Sequence, residues 1–286
     1  MAEESEGGAG ARRTRAEVAR EFRVGLARAF GGAILFSLPM LMTMELWWLG
    51  FYMDRLKLAL LVVLDLPLLV GLSYFSGFRE TETWVDDVVD AFVAIGVGFV
   101  SATAMLLLMN IIGVETALRE ITGKVTLLAV PASIGAILAS SEFGQQAEKK
   151  RELKQEASYA GELFFMLAGA VFFAASLAPT EEMVLIAYKM TSWHGLALAL
   201  FTLVLIHAFV YEVDFRNAPT APQGTPWWSL FLRFTVAGYA LALLVSGYIL
   251  WTFDRLQGHA VGEHLLTIVV LGFPAGIGAS VARVLL

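Results

Sequence analysis

Eight long apolar runs constrain this chain more than any other feature of its sequence. Each run is close to the roughly 20 apolar residues that an α-helix needs to cross a bilayer. The runs cover residues 29–49, 57–76, 87–113, 124–140, 159–179, 194–213, 228–252 and 265–285. They lack the alternating pattern of membrane β-strands. The sequence therefore predicts an all-α, polytopic membrane protein with eight transmembrane helices.

The composition also favours a lipid environment. Hydrophobic residues make up 58% of the chain and charged residues 16%, whereas soluble domains average about 45–50% and 25%. The formal net charge of −6 argues against nucleic acid as a partner. Cysteine is absent, which excludes disulfide bonds and thiol catalysis. We expect the bilayer as the main partner, with no metal site and no cofactor, and homo-oligomerisation is left open.

A Pro-Ala-x-Ile-Gly-Ala segment occurs twice, starting at Pro131 and at Pro274, 143 residues apart. Together with Pro39, these prolines should kink their helices, because proline removes a backbone hydrogen bond. The glycines of the two segments, Gly135 and Gly278, permit close helix packing. This pattern has two interpretations: kinked helices that line a cavity, or tight helix packing at a repeat interface. The sequence favours tight packing.

Other residues align between the halves at an offset of 137, which pairs Tyr74 with Tyr211. The offset increases from 137 to 143 within a loop, where an insertion costs little free energy. The sequence therefore predicts two parallel four-helix repeats, residues 29–140 and 159–286, about a pseudo-two-fold axis along the membrane normal.

Lysine and arginine predict the orientation. They are concentrated in the N-terminal residues 1–28, expected to be a disordered and then amphipathic arm, and in a charged linker at residues 141–158. Because cytoplasmic loops are enriched in these cations, both segments should be cytoplasmic, as should both termini.

Acidic residues mark the opposite side. Glu45 lies near the end of the first run, and the alignment pairs it with Glu182, which follows Glu181. Two related carboxylates near a shared axis would form a cation or proton site. The alternative is a pair of interfacial acids that are solvated by water.

Asp65 lies in the middle of the second run, where a charged side chain costs at least about 2.5–3.5 kcal/mol. Pro67 cannot donate to the Val63 carbonyl, which would leave that oxygen free beside the carboxylate. This arrangement indicates a cation or proton site. The alternative is a protonated Asp65 bonded to a neighbouring helix. The aligned residue of the second half is Thr202.

Two further polar residues lie inside apolar runs. His207 could relay protons with Asp65, since histidine titrates near neutral pH; a packed, hydrogen-bonded histidine is the simpler interpretation. Asp90 could belong to an acidic vestibule or pair with Arg233, and the ion pair is slightly favoured.

Motifs across most of the chain resemble an uncharacterised family of bacterial integral membrane proteins. They are Phe36-Ser37-Leu38-Pro39, Thr43-Met44-Glu45-Leu46-Trp47-Trp48 and Ala178-Pro179-Thr180-Glu181-Glu182. The resemblance implies a bacterial inner-membrane protein and assigns no activity. The chain also resembles, more faintly, the bacterial lysosomal-type potassium channels, whose repeats begin with an Arg-x-Phe-Ser-Asp helix. The corresponding stretch of this chain is Arg28-Ala29-Phe30-Gly31-Gly32, which lacks the Ser-Asp pair.

The leading hypothesis is an ion channel or transporter that moves a cation or proton through the interface of the two repeats. A non-transporting scaffold or assembly factor is the second hypothesis, and a membrane-embedded lipid-modifying enzyme is a weaker third. The sequence contains no phosphate-binding glycine loop and no nucleophile elbow, so an enzyme is the less favoured class.

Overall fold

A computed structural model describes residues 15–76, 84–142, 159–211, 227–258 and 260–285, and every regular element within them is helical. The helices are α1 (Arg15–Leu41), α2 (Met44–Tyr52), α3 (Arg55–Ser76), α4 (Trp84–Leu108), α5 (Leu118–Glu142), α6 (Tyr159–Leu177), α7 (Glu182–Lys189), α8 (Ser192–Tyr211), α9 and α10 (Val261–Leu285). The composite helix α9 joins Trp227–Leu230, the π-helical turn Phe231–Val236 and Ala237–Thr252. The all-α prediction is confirmed.

Eight of the described helices are long and apolar enough to cross a membrane, as the sequence predicts. The first crossing differs from the predicted run, because α1 ends at Leu41 and α2 starts after a break at Thr43. Pro39 lies in the last turn of α1, and the Thr43 hydroxyl donates to the Met40 carbonyl at 2.7 Å. These two residues end the helix inside an apolar run.

Helix α1 also includes residues 15–28, so it continues without a break from the arm into the first crossing. The rest of the arm, residues 1–14, and the linker from 143 to 158 lie outside the described residues. The cytoplasmic placement of both segments stays a prediction.

The helices form two bundles with the same pairing. In the first bundle, α1–α5, helix α5 packs against α1, α2, α3 and α4. In the second bundle, α6–α10, helix α10 packs against α6, α7, α8 and α9. The last helix of each bundle, α5 or α10, is therefore its central helix, because it contacts the other four.

Backbone contacts between glycines hold the central helices in place. A Cβ atom on Gly32 would lie 2.2 Å from the Gly135 carbonyl oxygen, and one on Gly169 would lie 2.2 Å from that of Gly278. These contacts recur at the offsets of 137 and 143, although the duplication itself stays a prediction. They join helices within each bundle, so the interpretation that Gly135 and Gly278 pack at the repeat interface is wrong.

The interface between the bundles is built from aromatic side chains. Helix α6 packs against α1, α3 and α5. The Phe36 and Phe172 ring centroids are 4.6 Å apart, and those of Phe75 and Phe164 are 5.3 Å apart. These contacts fill the space between α6 and the first bundle with apolar groups.

An ion pair joins the bundles at the end that carries α2, α7 and the α9–α10 loop, which we call the short-helix end. Lys57 Nζ lies 2.5 Å from Asp254 Oδ1 and 4.8 Å from the Trp251 ring centroid. Asp254 adopts a left-handed conformation with φ of 59°. The α9–α10 loop of the second bundle thus docks on the start of α3.

Candidate functional site

The central candidate is the carboxyl group of Asp65 on α3. Its side chain is 5% exposed, and Ser133 of α5 places its hydroxyl 3.0 Å from Oδ2. The same hydroxyl lies 2.7 Å from the Val130 carbonyl oxygen. Oδ1 is buried and has no hydrogen-bond partner among the described residues. The first bundle therefore holds an incompletely satisfied carboxyl group at membrane depth.

The predicted role of Pro67 differs from the observed geometry. Pro67 and Val63 are exposed on the outer face of α3, whereas Asp65 is buried. Residues two apart on a helix point to different faces, since each residue turns the helix by about 100°. The carbonyl that Pro67 leaves free is therefore not beside the Asp65 carboxyl group.

Helix α4 completes the surroundings of Ser133. A Cβ atom on Gly98 would lie 2.8 Å from the Ala129 carbonyl oxygen and 3.0 Å from the Ser133 nitrogen, so only glycine permits this approach. One turn further along α4, the Ser101 hydroxyl is buried, and the part of the chain that the structure describes offers it no hydrogen-bond partner. The α3–α4–α5 junction thus contains two polar groups with unused hydrogen-bonding capacity.

The second bundle places other residues at the matching junction. Thr202 on α8 is fully buried and donates to the Leu198 carbonyl at 2.7 Å. Its neighbour on α10 is Gly276, where a Cβ atom would lie 3.1 Å from the Thr202 methyl carbon. The offsets of 137 and 143 relate Asp65 to Thr202 and Ser133 to Gly276. The acid therefore belongs to the first bundle alone.

Glu45 and Glu182 lie on the short helices of different bundles. Glu45 is half-buried in the first turn of α2, which packs against α1 and α5. Glu182 is exposed in the first turn of α7, which packs against α10. Glu181 faces solvent, with a carboxylate oxygen 3.8 Å from Arg255. The described packing does not bring the two predicted partners together.

His207 is half-buried in α8, away from Asp65. Its Nδ1 lies 3.1 Å from the Thr235 hydroxyl, and its ring meets the edge of Phe231 at 5.4 Å. Both neighbours belong to the π-helical turn of α9. These contacts fit a packed, hydrogen-bonded histidine of the second bundle, and the relay with Asp65 stays a prediction.

Asp90 is buried in α4, next to a second buried acid that the sequence reasoning missed. That residue, Asp87, is 3% exposed and accepts a 3.2 Å hydrogen bond from the Ser73 hydroxyl of α3. Arg233 lies over the Tyr159 ring in the second bundle, 5.9 Å from its centroid. The described packing pairs α4 with helices of the first bundle, so the predicted pairing of Asp90 with Arg233 gains no support.

A buried ion pair in the second bundle was also missed. Arg283 of α10 donates from Nε to Glu162 of α6 at 2.6 Å, and both side chains are largely buried. The sequence signal was available, because single charges of opposite sign lie inside two apolar runs at the end opposite α7. Within the described residues, no group of three His, Asp or Glu side chains could hold a metal ion.

An open groove of about 400 Å³ lies on the first bundle at the short-helix end. Its walls come from α2, α3, α4 and α5, and its lining includes Arg55 and Arg119. Val62 lines the groove one helical turn from Asp65, but Asp65 itself is not part of the lining.

The comparisons with known proteins agree with a membrane protein. No curated protein and no solved structure matches the chain. A family model described as "Putative integral membrane protein (DUF2391)" matches residues 25–286, which include all eight crossings apart from the start of α1. The chain is therefore a multi-pass integral membrane protein, and it belongs to this family.

Proposed function

We propose that this protein moves protons across the membrane, with Asp65 of the first bundle as the proton-binding group. The observation that carries the proposal is the buried Asp65 carboxyl group with its unpartnered Oδ1. Burying such a group at membrane depth costs several kcal/mol unless it is neutralised or paired. If this position had only a structural role, an apolar residue would fill it at a lower cost in free energy than Asp65 does.

A proton fits this group better than a metal cation. Mg²⁺ and Ca²⁺ take roughly six or more oxygen ligands. Within hydrogen-bonding range of the Asp65 carboxyl group, the described side chains place one hydroxyl, that of Ser133. Such a small ligand set cannot replace the hydration shell of a cation, whereas a proton needs only one oxygen.

Hydrogen-bond accounting also supports a protonatable Asp65. The Ser133 hydroxyl has one hydrogen but two acceptors in range, Asp65 Oδ2 and the Val130 carbonyl. An ionised Asp65 therefore competes with the Val130 carbonyl for the single Ser133 hydrogen. A protonated Asp65 donates to Ser133, and Ser133 then donates to Val130, so every hydrogen has an acceptor.

Proton flux into liposomes tests the proposal. We expect purified full-length protein to acidify liposomes loaded with a pH-sensitive dye when a potassium gradient with valinomycin supplies the potential. Asp65→Asn keeps the size and the hydrogen bond to Ser133 but removes the titratable proton, and should lower the flux at least tenfold. Glu115→Gln is the matched control, because Glu115 is an exposed acid in the α4–α5 loop.

A non-transporting scaffold is the second candidate, and a specific observation favours it. Phenylalanine rings pack the interface between the bundles, with Phe75 and Phe165 centroids 5.5 Å apart, and the groove on the first bundle stops short of Asp65. Wild-type flux equal to that of protein-free liposomes, or equal flux in wild type and Asp65→Asn, would reject proton transport through Asp65 and leave the scaffold.

A further inference from the structure

The groove at the short-helix end has the form of a lipid site. It runs along α3 from Arg55 to Val63, a length of about 12 Å at 1.5 Å per residue. Its volume of about 400 Å³ falls within the roughly 300–1,000 Å³ of small-molecule pockets. Leu58, Ala59 and Phe99 line it, so its walls are mostly apolar.

Close backbone packing of α2 on α5 forms one wall of this groove. A Cβ atom on Gly123 would lie 1.9 Å from the Gly50 carbonyl oxygen, and one on Gly50 would lie 2.7 Å from the Lys124 nitrogen. Both glycines line the groove. The short helix α2 is thereby fixed against α5 at the mouth of the groove.

The charge of the groove is uniformly positive. Arg55 and Arg119 both line it, and none of the described residues in its lining is acidic. Both side chains are exposed, and neither forms an ion pair within the described part of the chain. Guanidinium groups bind phosphate in a planar, two-pronged geometry. A zwitterionic headgroup would bring its own cation close to both arginines, whereas an anionic headgroup would not.

The second bundle does not repeat the two arginines of the groove at the matching positions. The offsets of 137 and 143 relate Arg55 to Ser192 and Arg119 to Gly262, so neither cation is repeated. Leu266 replaces Gly123, and its side chain lies 2.4 Å from the position of a Cβ atom on Gly195. Gly195 matches Leu58 of the first bundle, so the glycine and the bulky side chain change places between the two helices, and the second bundle does not repeat the shape of this groove wall.

We propose that this groove binds one phospholipid with an anionic headgroup, whose phosphate lies between Arg55 and Arg119 and whose acyl chain follows Ala59 and Val62. This inference is independent of proton transport, because none of its residues is part of the Asp65 site. Charge complementarity identifies the headgroup, and the apolar walls that continue from the arginines identify the chain.

Native mass spectrometry of the full-length protein in a neutral detergent tests this inference. After lipid removal, the protein is offered equal amounts of phosphatidylglycerol and phosphatidylcholine. We expect wild type to retain one phosphatidylglycerol in preference to phosphatidylcholine. Arg55→Gln and Arg119→Gln should each lower that preference at least fivefold, and Ala59→Phe should block the groove and remove both lipids.

Two control variants make the same chemical changes elsewhere. Lys189→Gln removes an exposed cation at the short-helix end, and Ala104→Phe adds a ring to an exposed alanine of α4 outside the groove. Both should retain lipid as wild type does. Equal retention of the two lipids by wild type, or equal losses in groove and control variants, would overturn the proposal.

Discussion

Two adjacent glycines of α1 allow the proposed helix contacts to be tested by a single type of substitution. A Cβ atom on Gly32 would lie 2.2 Å from the Gly135 carbonyl oxygen and 2.3 Å from the Ala139 Cβ atom. A Cβ atom on Gly31 would meet nothing within 4 Å. Gly32→Ala and Gly31→Ala therefore differ only in whether the new methyl group meets α5.

The expected difference in stability follows from these distances. To restore ordinary contact distances of about 3.5 Å, α1 would have to move roughly 1 Å away from α5. Overpacking of this kind costs about 1–3 kcal/mol. Replacing glycine by alanine in a helix also gains up to about 1 kcal/mol. Because that gain applies to both variants, their difference isolates the steric cost of about 1–3 kcal/mol.

Thermal unfolding in detergent provides the measurement. We expect Gly31→Ala to melt at or above wild type, and Gly32→Ala to melt roughly 2–12 °C below Gly31→Ala, using about 2–4 °C per kcal/mol for a chain of comparable size. Gly169→Ala should resemble Gly32→Ala, since its methyl group would meet the Gly278 carbonyl oxygen at 2.2 Å. Equal melting temperatures for the two α1 variants would refute the close approach of α1 and α5.

Two further predictions concern ion pairs. Glu162→Gln or Arg283→Met alone should cost about 3–5 kcal/mol, because each removes one member of a buried ion pair; the combined variant should be more stable than either single one, and additive losses in thermal unfolding would contradict this. Lys57→Gln and Asp254→Asn should show a coupling of about 0.2–1 kcal/mol in a double-mutant cycle, since both side chains are partly exposed. That coupling should weaken at high salt, and a salt-independent value would show that the pair does not join the bundles electrostatically.

Sequence reasoning succeeds where the signal is the length of an apolar run. The eight crossings and the buried position of Asp65 follow from hydropathy, because lipid forces both backbone pairing and the exclusion of lone charges. The break at Thr43 is less visible, since residues on both sides of it are apolar. The sequence predicts a kink at Pro39, whereas in the structure Pro39 lies in the last turn before a complete helix end.

Helix pairing could not be predicted in the same way. Gly135 was expected at the repeat interface, yet it packs against Gly32 within one bundle. Glycine indicates that a second backbone can approach closely and does not identify which helix it comes from. The same limit applies to Glu45 and Glu182, whose alignment implied a shared axis although their helices pack in different bundles.

The π-helical turn of α9 shows how the bundles differ despite the same helix pairing. After the end of α4, the Ile111 N–H donates a hydrogen bond to the Leu106 carbonyl, and the matching bond after α9, from Arg255 to Leu250, lies 144 residues later. The starts of the same two helices, Trp84 and Trp227, are only 143 residues apart. A π turn adds one residue to a helix, which accounts for the difference.

The added residue lies where α9 faces α8, so it changes the polar contacts of the second bundle. The turn places Thr235 within 3.1 Å of His207, while Thr202 and Gly276 occupy the positions that match Asp65 and Ser133. Each bundle therefore has its own polar chemistry within the same set of helix contacts. A transport mechanism for this chain must be asymmetric, because symmetric use of both bundles would need an acid where the second bundle has a threonine.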